Sequence, residues 1–257
     1  MTEFIRVEAV SKRYQTRSGQ SVTALENVTL GIRADEFVTI VGPSGCGKST
    51  LLKLLGGIIV PTEGRILLRG AALDGPSRDV GMVFQNPVLL PWRTVIDNVM
   101  FPIEVLRWPT ARFRAEAKRL IDLVGLKGFE GTFPRELSGG MQQRVSICRA
   151  LVHDPSLLLM DEPFGALDAM TREEMGIELL RVWSERKKTV VFVTHSIPEA
   201  ILLADRVAVM TPRPGRVVKV LDITLPRPRA MDMEFTAEFK EHAEVIRGAV
   251  SSSRRLG

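Results

Sequence analysis

The chain has 257 residues, 45% apolar and 25% charged, with 35 Lys and Arg against 30 Asp and Glu for a net charge of +5. That balance excludes a disordered or low-complexity chain, and two cysteines exclude a disulfide framework. The longest apolar runs, around Leu51–Val60, Leu157–Met160 and Val190–Val193, fall well short of the ~20 residues that cross a bilayer.

From the N-terminus, Phe4–Val10, Val22–Ile32 and Glu36–Val41 read as strands, with turn signals at Ser18-Gly19 and Ala34-Asp35. The opening residues alternate like a strand and lack the basic head and apolar middle of a signal peptide, so a cytosolic chain is expected. Lys48–Leu55 reads as a helix closed by Gly56-Gly57, and Arg65–Leu68 and Val80–Phe84 read as further strands. Over about 86–155 the pattern turns helical, with Phe113, Ala117, Leu120, Ile121 and Val124 on one face of Ala111–Val124. This predicts a helical subdomain inserted into one domain spanning 1–257. Strand and helix then alternate through Ser156–Met160, Thr171–Arg186, Thr189–Val193, Pro198–Ala204 and Arg206–Met210, the order that builds a parallel sheet flanked by helices. Pro212, Pro214, Pro226 and Pro228 predict irregular chain. A C-terminal extension, 226–257, is expected to dock an amphipathic helix through Phe235, Phe239 and Ile246 and to fray over Ser251–Gly257. Basic and acidic residues are interspersed with no long run of either, so no nucleic-acid partner is expected.

Gly42-Pro43-Ser44-Gly45-Cys46-Gly47-Lys48-Ser49, followed by Thr50, matches GxxxxGK[ST] between an apolar strand and a helix. Glycines let such a loop curl so that its N–H groups meet phosphate oxygens at a helix N-terminus. Lys48 would add a charge at the β- and γ-phosphates of ATP, and the Ser49 hydroxyl would ligate Mg²⁺. Cys46 reads as a small filler whose thiol nucleotide would shield from alkylation. Leu157–Met160 runs apolar into Asp161 and Glu162, as on a buried parallel strand opening into a site. Asp161 is expected to hold Mg²⁺ and Glu162 to polarise the attacking water. Leu137-Ser138-Gly139-Gly140-Met141-Gln142-Gln143-Arg144 places a serine and two glycines at a second helix N-terminus, another potential phosphate site.

A phosphate loop alone admits kinases, GTPases, helicases and transporters. With the Ser138 segment, the chain resembles the ATP-binding subunits of ABC transporters, whose LSGGQ signature opens a helix, over about Phe4 to Arg216. The resemblance implies an α/β fold, a P-loop NTPase (RecA-like) parallel-sheet core with an antiparallel β-subdomain and a helical subdomain insertion. It makes Tyr14 the adenine-stacking aromatic, Gln85 the residue sensing Mg²⁺ and γ-phosphate, and His195 the γ-phosphate contact, with Gly165-Ala166-Leu167-Asp168 the loop after the catalytic glutamate. It implies ATP hydrolysis in a head-to-tail dimer, of this chain or with a second ATPase subunit, in which Ser138, Gly139 and Gly140 of one protomer complete the other's site.

Segments resembling LLPWRTVIDNV, EPFGALDAMTR and TPRPGRVV point to importers of nitrate, sulfonates, taurine and similar anions. Separate membrane permease subunits, a solute-binding protein acting indirectly, and a seat on the cytoplasmic face of the membrane are implied. The segment after Gly215 is shorter than the regulatory domain some relatives append, so none is expected. Trp92 reads equally as an exposed protein anchor or a core residue. His153 and His242 match no motif and read as surface residues. Met141 departs from the signature glutamine and Gly165 from a common serine. The rival reading is a non-transport ABC ATPase acting on nucleic acid or ribosomes.

Overall fold

Alternating burial builds the opening strand, Ile5–Gln15 (β1), in which Ile5 and Val7 face the core and Arg6 faces solvent. At Ala9, where φ is 48°, the strand bulges and its register with both neighbours shifts. The structure, a computed structural model, describes residues 3–15, 19–165, 167–185 and 187–253. Ser18, Ala166, Arg186 and residues 254–257, on which expectations above fall, lie outside the described residues.

After β1 come Ser21–Ile32 (β2), Phe37–Val41 (β3), Lys48–Leu55 (α1), Glu63–Leu68 (β4), Ala71–Ala72 (β5), Val80–Val83 (β6), Val95–Val105 (α2), Thr110–Leu123 (α3) and Gly139–Leu151 (α4). Then follow Leu157–Asp161 (β7), Ala169–Glu185 (α5), Thr189–Thr194 (β8), Ile197–Leu203 (α6), Arg206–Met210 (β9), Val217–Asp222 (β10) and Ala237–Ser253 (α7). The chain divides into two compact units, Met1–Ser77 with Lys188–Gly257, and Arg78–Lys187.

The first unit carries two sheets. One is antiparallel, in the order β2, β1, β4, β5. In the other, β3 lies parallel between β8 and β9, with β10 antiparallel to β9. Strands β3 and β8 are buried along their whole length, which is why their sequences FVTIV and TVVFVT run apolar instead of alternating. Val41 pairs with Thr194, so Gly42 and His195 leave the sheet at the same end. The C-terminal segment is tied to this unit by two arginines. Arg227 donates to Asp205 at 2.8 and 3.0 Å. The buried Arg229 caps the end of α6, its guanidinium reaching the carbonyls of Ile201 (2.8 Å), Leu202 (3.3 Å) and Ala204 (2.5 Å). Burial pulls Arg229 down to about 10.

The second unit pairs β6 with β7 in parallel and packs α2, α3 and α4 around Val95, Val99, Ile103, Leu120, Ile121, Val145 and Cys148. Burial pushes the Cys148 thiol up, leaving it an inert apolar filler. Among the described residues, no helix in either unit is long and apolar enough to cross a membrane.

Three expectations are corrected. The chain is irregular around Pro212, Pro214, Pro226 and Pro228, as expected, but not throughout: the β-branched run that starts at Val217 forms a strand, β10, antiparallel to β9. Phe235 does not join Phe239 and Ile246 on the last helix: it ends a 3₁₀ turn, Met231–Phe235, and is 80% exposed. His153 is no surface residue but half-buried, its Nε2 3.4 Å from the Val80 carbonyl and its Nδ1 buried without a partner.

Candidate nucleotide site

Backbone conformation shapes the phosphate loop. Gly45 and Gly47 adopt φ of 75° and 105°, which suit residues without a Cβ. Gly42 is fixed by space instead, since a Cβ there would sit 2.9 Å from the Cys46 sulfur and 3.0 Å from the Met210 carbonyl. The curled loop delivers the N-terminus of α1, capped by Gly47, with Ser49 exposed and Thr50 half-exposed beside it. Lys48 is only 5% exposed, and its ammonium donates to the carbonyls of Gly42 (2.9 Å) and Pro43 (3.2 Å). Carbonyl dipoles thus hold the cation inside the loop. Cys46 is 1% exposed, so the expected protection from alkylation by nucleotide is corrected: packing within the protein hides the thiol.

His195, exposed, follows β8. Its neighbours are pinned: the Ser196 N–H donates to Thr194 Oγ1 (3.0 Å), the Glu199 N–H donates to Ser196 Oγ (3.4 Å), and the Thr194 hydroxyl donates to the Glu199 carboxylate. The spacing Ser196-x-x-Glu199 before an apolar helix was legible as a capping signal. Tyr14 lies on β1, part-exposed, with the Lys12 ammonium 5.4 Å from its ring centroid.

The second unit gathers the remaining candidates. Val83 of β6 pairs with Met160 of β7, so Gln85, Asp161 and Glu162 leave those strands at one end. Glu162 holds φ at 42°, a left-handed conformation that a glutamate keeps only when its surroundings impose it. At Gly165 a Cβ would lie 3.2 Å from the Gln85 amide nitrogen and 3.3 Å from the Glu162 carbonyl, a tight fit that a serine would have to ease by a few tenths of an ångström. Asp168 accepts from the Thr171 N–H (3.1 Å) and hydroxyl (2.7 Å), capping α5, and these bonds hold its carboxyl below the usual range.

Ser138 caps α4, its hydroxyl accepting from the Met141 N–H at 3.3 Å. Ser138 and Gly139 are exposed, and among the described residues nothing beyond its own helix and chain neighbours comes within 4 Å of a Cβ built on Gly139. Packing inside the protein therefore does not require that glycine. Met141 is half-buried against the helical core, which gives the departure from the signature a packing role.

The loop between Gln85 and α2 was the open question around Trp92. Asn98, fully buried, settles its shape: its Oδ1 accepts from Leu90 N–H (2.8 Å) and its Nδ2 donates to the carbonyls of Leu90, Arg93 and Thr94 at 3.0 to 3.1 Å. The loop becomes a fixed arch, and Trp92 on it is 71% exposed, which removes the core reading. Nothing in the local sequence marked Asn98, whose partners are set by the fold.

The family model described as ABC transporter matches residues 25–165. The chain belongs to the ABC transporter family. An uncharacterized ABC transporter ATP-binding protein of Methanocaldococcus jannaschii is 48% identical over 97% of this chain and 93% of its own. A taurine import ATP-binding protein of Rhizobium johnstonii is 45% identical over 98% of each chain. An aliphatic sulfonates import ATP-binding protein of Bacillus cereus is 42% identical over 92% of this chain and 93% of its own. Among solved structures, a dimeric ATP-binding cassette in a post-hydrolysis state, bound to ADP and Pi, superposes with a TM-score of 0.74 at 33% identity over 86% of this chain and all of its own. This ABC cassette is the ATP-binding subunit of a transporter, and its activity is ATP hydrolysis.

Proposed function

We propose that this ABC cassette energises uptake of a small organosulfonate, taurine or an alkanesulfonate, through separate membrane permease subunits, working as a head-to-tail dimer at the cytoplasmic face. The observation that carries the reading is end-to-end similarity to import ATP-binding proteins for taurine and sulfonates, at 45% and 42% identity. The solute itself meets a solute-binding protein and the permease, while this chain supplies the energy.

In the proposed chemistry, the triphosphate lies on the N–H groups of Gly42–Thr50, and the Lys48 ammonium exchanges the Gly42 and Pro43 carbonyls for β- and γ-oxygens. Tyr14 stacks on adenine. Glu162 accepts a hydrogen bond from the attacking water and orients it, His195 contacts the γ-phosphate, and Ser138, Gly139 and Gly140 of the second protomer face it with a helix N-terminus. The open space at Gly139 supports that last role, since a ligand from another chain accounts for a glycine that internal packing does not need. The Ser49 hydroxyl, Gln85 amide oxygen and Asp161 carboxylate are hard oxygen donors of the kind Mg²⁺ takes, so the donor set fits that ion. Bound there, Mg²⁺ would neutralise charge on the phosphoryl oxygens.

Deleting the gene in its host is expected to abolish growth on taurine or an alkanesulfonate as sole sulfur source while leaving growth on sulfate intact. The wild-type chain, but not Glu162→Gln, should restore it. Unimpaired growth of the deletion strain on every sulfonate tried overturns the substrate class.

A further inference from the structure

Gln85 sits in a stretch of chain that α4 grips on both sides. Before it, the Phe84 carbonyl accepts from the Gln143 side-chain amide at 3.3 Å. After it, the Arg149 guanidinium donates to the carbonyls of Pro87 (2.6 Å) and Val88 (2.8 Å). Gln143 is buried, and Arg149 is half-buried. Desolvation by burial pulls the pKa of Arg149 down. A cation drawn into the protein and bonded to loop carbonyls serves to fix that loop.

The loop needs fixing. Val88 holds φ at 47°, a conformation that a β-branched residue leaves unless it is held. The Gln85 amide nitrogen, for its part, lies 3.2 Å from where a Cβ on Gly165 would stand, beside the loop that follows Glu162.

We infer that Gln143 and Arg149 are positioning residues for Gln85, holding the carbonyls on either side of it. The inference rests on the proposed role of Gln85, so its test separates the two.

The experiment is a double-mutant cycle on the full chain, measuring kcat, the KM for ATP, the Mg²⁺ concentration for half-maximal hydrolysis and the thermal midpoint of each variant. Arg149→Ala is expected to lower kcat about ten-fold and raise the half-maximal Mg²⁺ about ten-fold, with KM for ATP within about two-fold, as for loss of a residue that orients a metal's ligand. In a Gln85→Ala background the same substitution should change kcat by less than about two-fold, because there is no glutamine left to position. Equal losses in both backgrounds make Arg149 a general stabiliser of the unit and overturn the inference. If Gln85→Ala alone leaves kcat and the Mg²⁺ dependence unchanged, the role of Gln85 falls instead. Should Arg149→Ala not fold, Arg149→Lys, which keeps the charge but loses the two-pronged donor, goes through the same cycle with the same outcomes.

Discussion

At Glu162 the backbone and the side chain make separate demands. The positive φ is imposed by its surroundings, and the carboxylate is the group assigned to the water. Glu162→Gln preserves shape and backbone strain while removing the basic oxygen. ATP affinity is therefore expected to stay within about two-fold and the single-turnover rate to fall about a thousand-fold, in the range for loss of a general base. Unchanged turnover would remove Glu162 from the chemistry. Ser138 allows a similar separation. Its hydroxyl caps α4, and aspartate caps a helix as well as serine does. Ser138→Asp should thus leave the thermal midpoint near the wild-type value yet cut kcat at least about a hundred-fold, because a carboxylate would face γ-phosphate. A fall in stability with activity retained would make the serine only a cap. These residues were legible in the sequence because their chemistry is contiguous: glycines, a lysine and a hydroxyl within one loop, or two acids ending one apolar strand. Arg149 was not legible, since its partners lie 61 and 62 residues away and only the fold brings them together.

Elements with strong local signals appear where expected. Helix α1 spans Lys48–Leu55, as its apolar spacing and the following glycines predict, and β9 spans Arg206–Met210. Strand β10 was obscured by its flanking prolines, and the end of α4 hid a titratable group. His153 follows α4 and reaches the carbonyl of Val80 in β6. Burial lowers its pKa from the ordinary 6.5, with the Val80 carbonyl and then Asp154 opposing the shift only in part. The folded protein therefore refuses a proton that the unfolded chain accepts. Stability attributable to His153 is full above the unfolded pKa and declines as pH falls through it, levelling off below the folded value. The urea midpoint of the wild type should drop between pH 7.5 and pH 5.5 by more than that of His153→Leu, which has no proton to gain. Parallel curves for the two proteins would show that the imidazole stays exposed to water in solution.

For the whole molecule, the decisive property is that the proposed active site takes residues from two chains. Lys48, Glu162 and His195 of one protomer would act with Ser138 of the other, so each variant of the pair Glu162→Gln and Ser138→Asp spoils both sites of its own homodimer. A mixed dimer is different. One of its sites draws Glu162 from the Ser138→Asp chain and Ser138 from the Glu162→Gln chain, and so contains every required group, while the other site carries both defects. Random exchange of equal amounts puts about half of all dimers in the mixed form, each with one intact site of two. Mixing two nearly inactive preparations should then restore about a quarter of the wild-type rate, if the two sites fire independently. Before mixing, the specific activity of the wild type should fall on dilution as protomers separate. A mixture no more active than its components, at concentrations where the wild type is fully active, would mean that every catalytic group comes from one chain, and the head-to-tail arrangement would have to be abandoned.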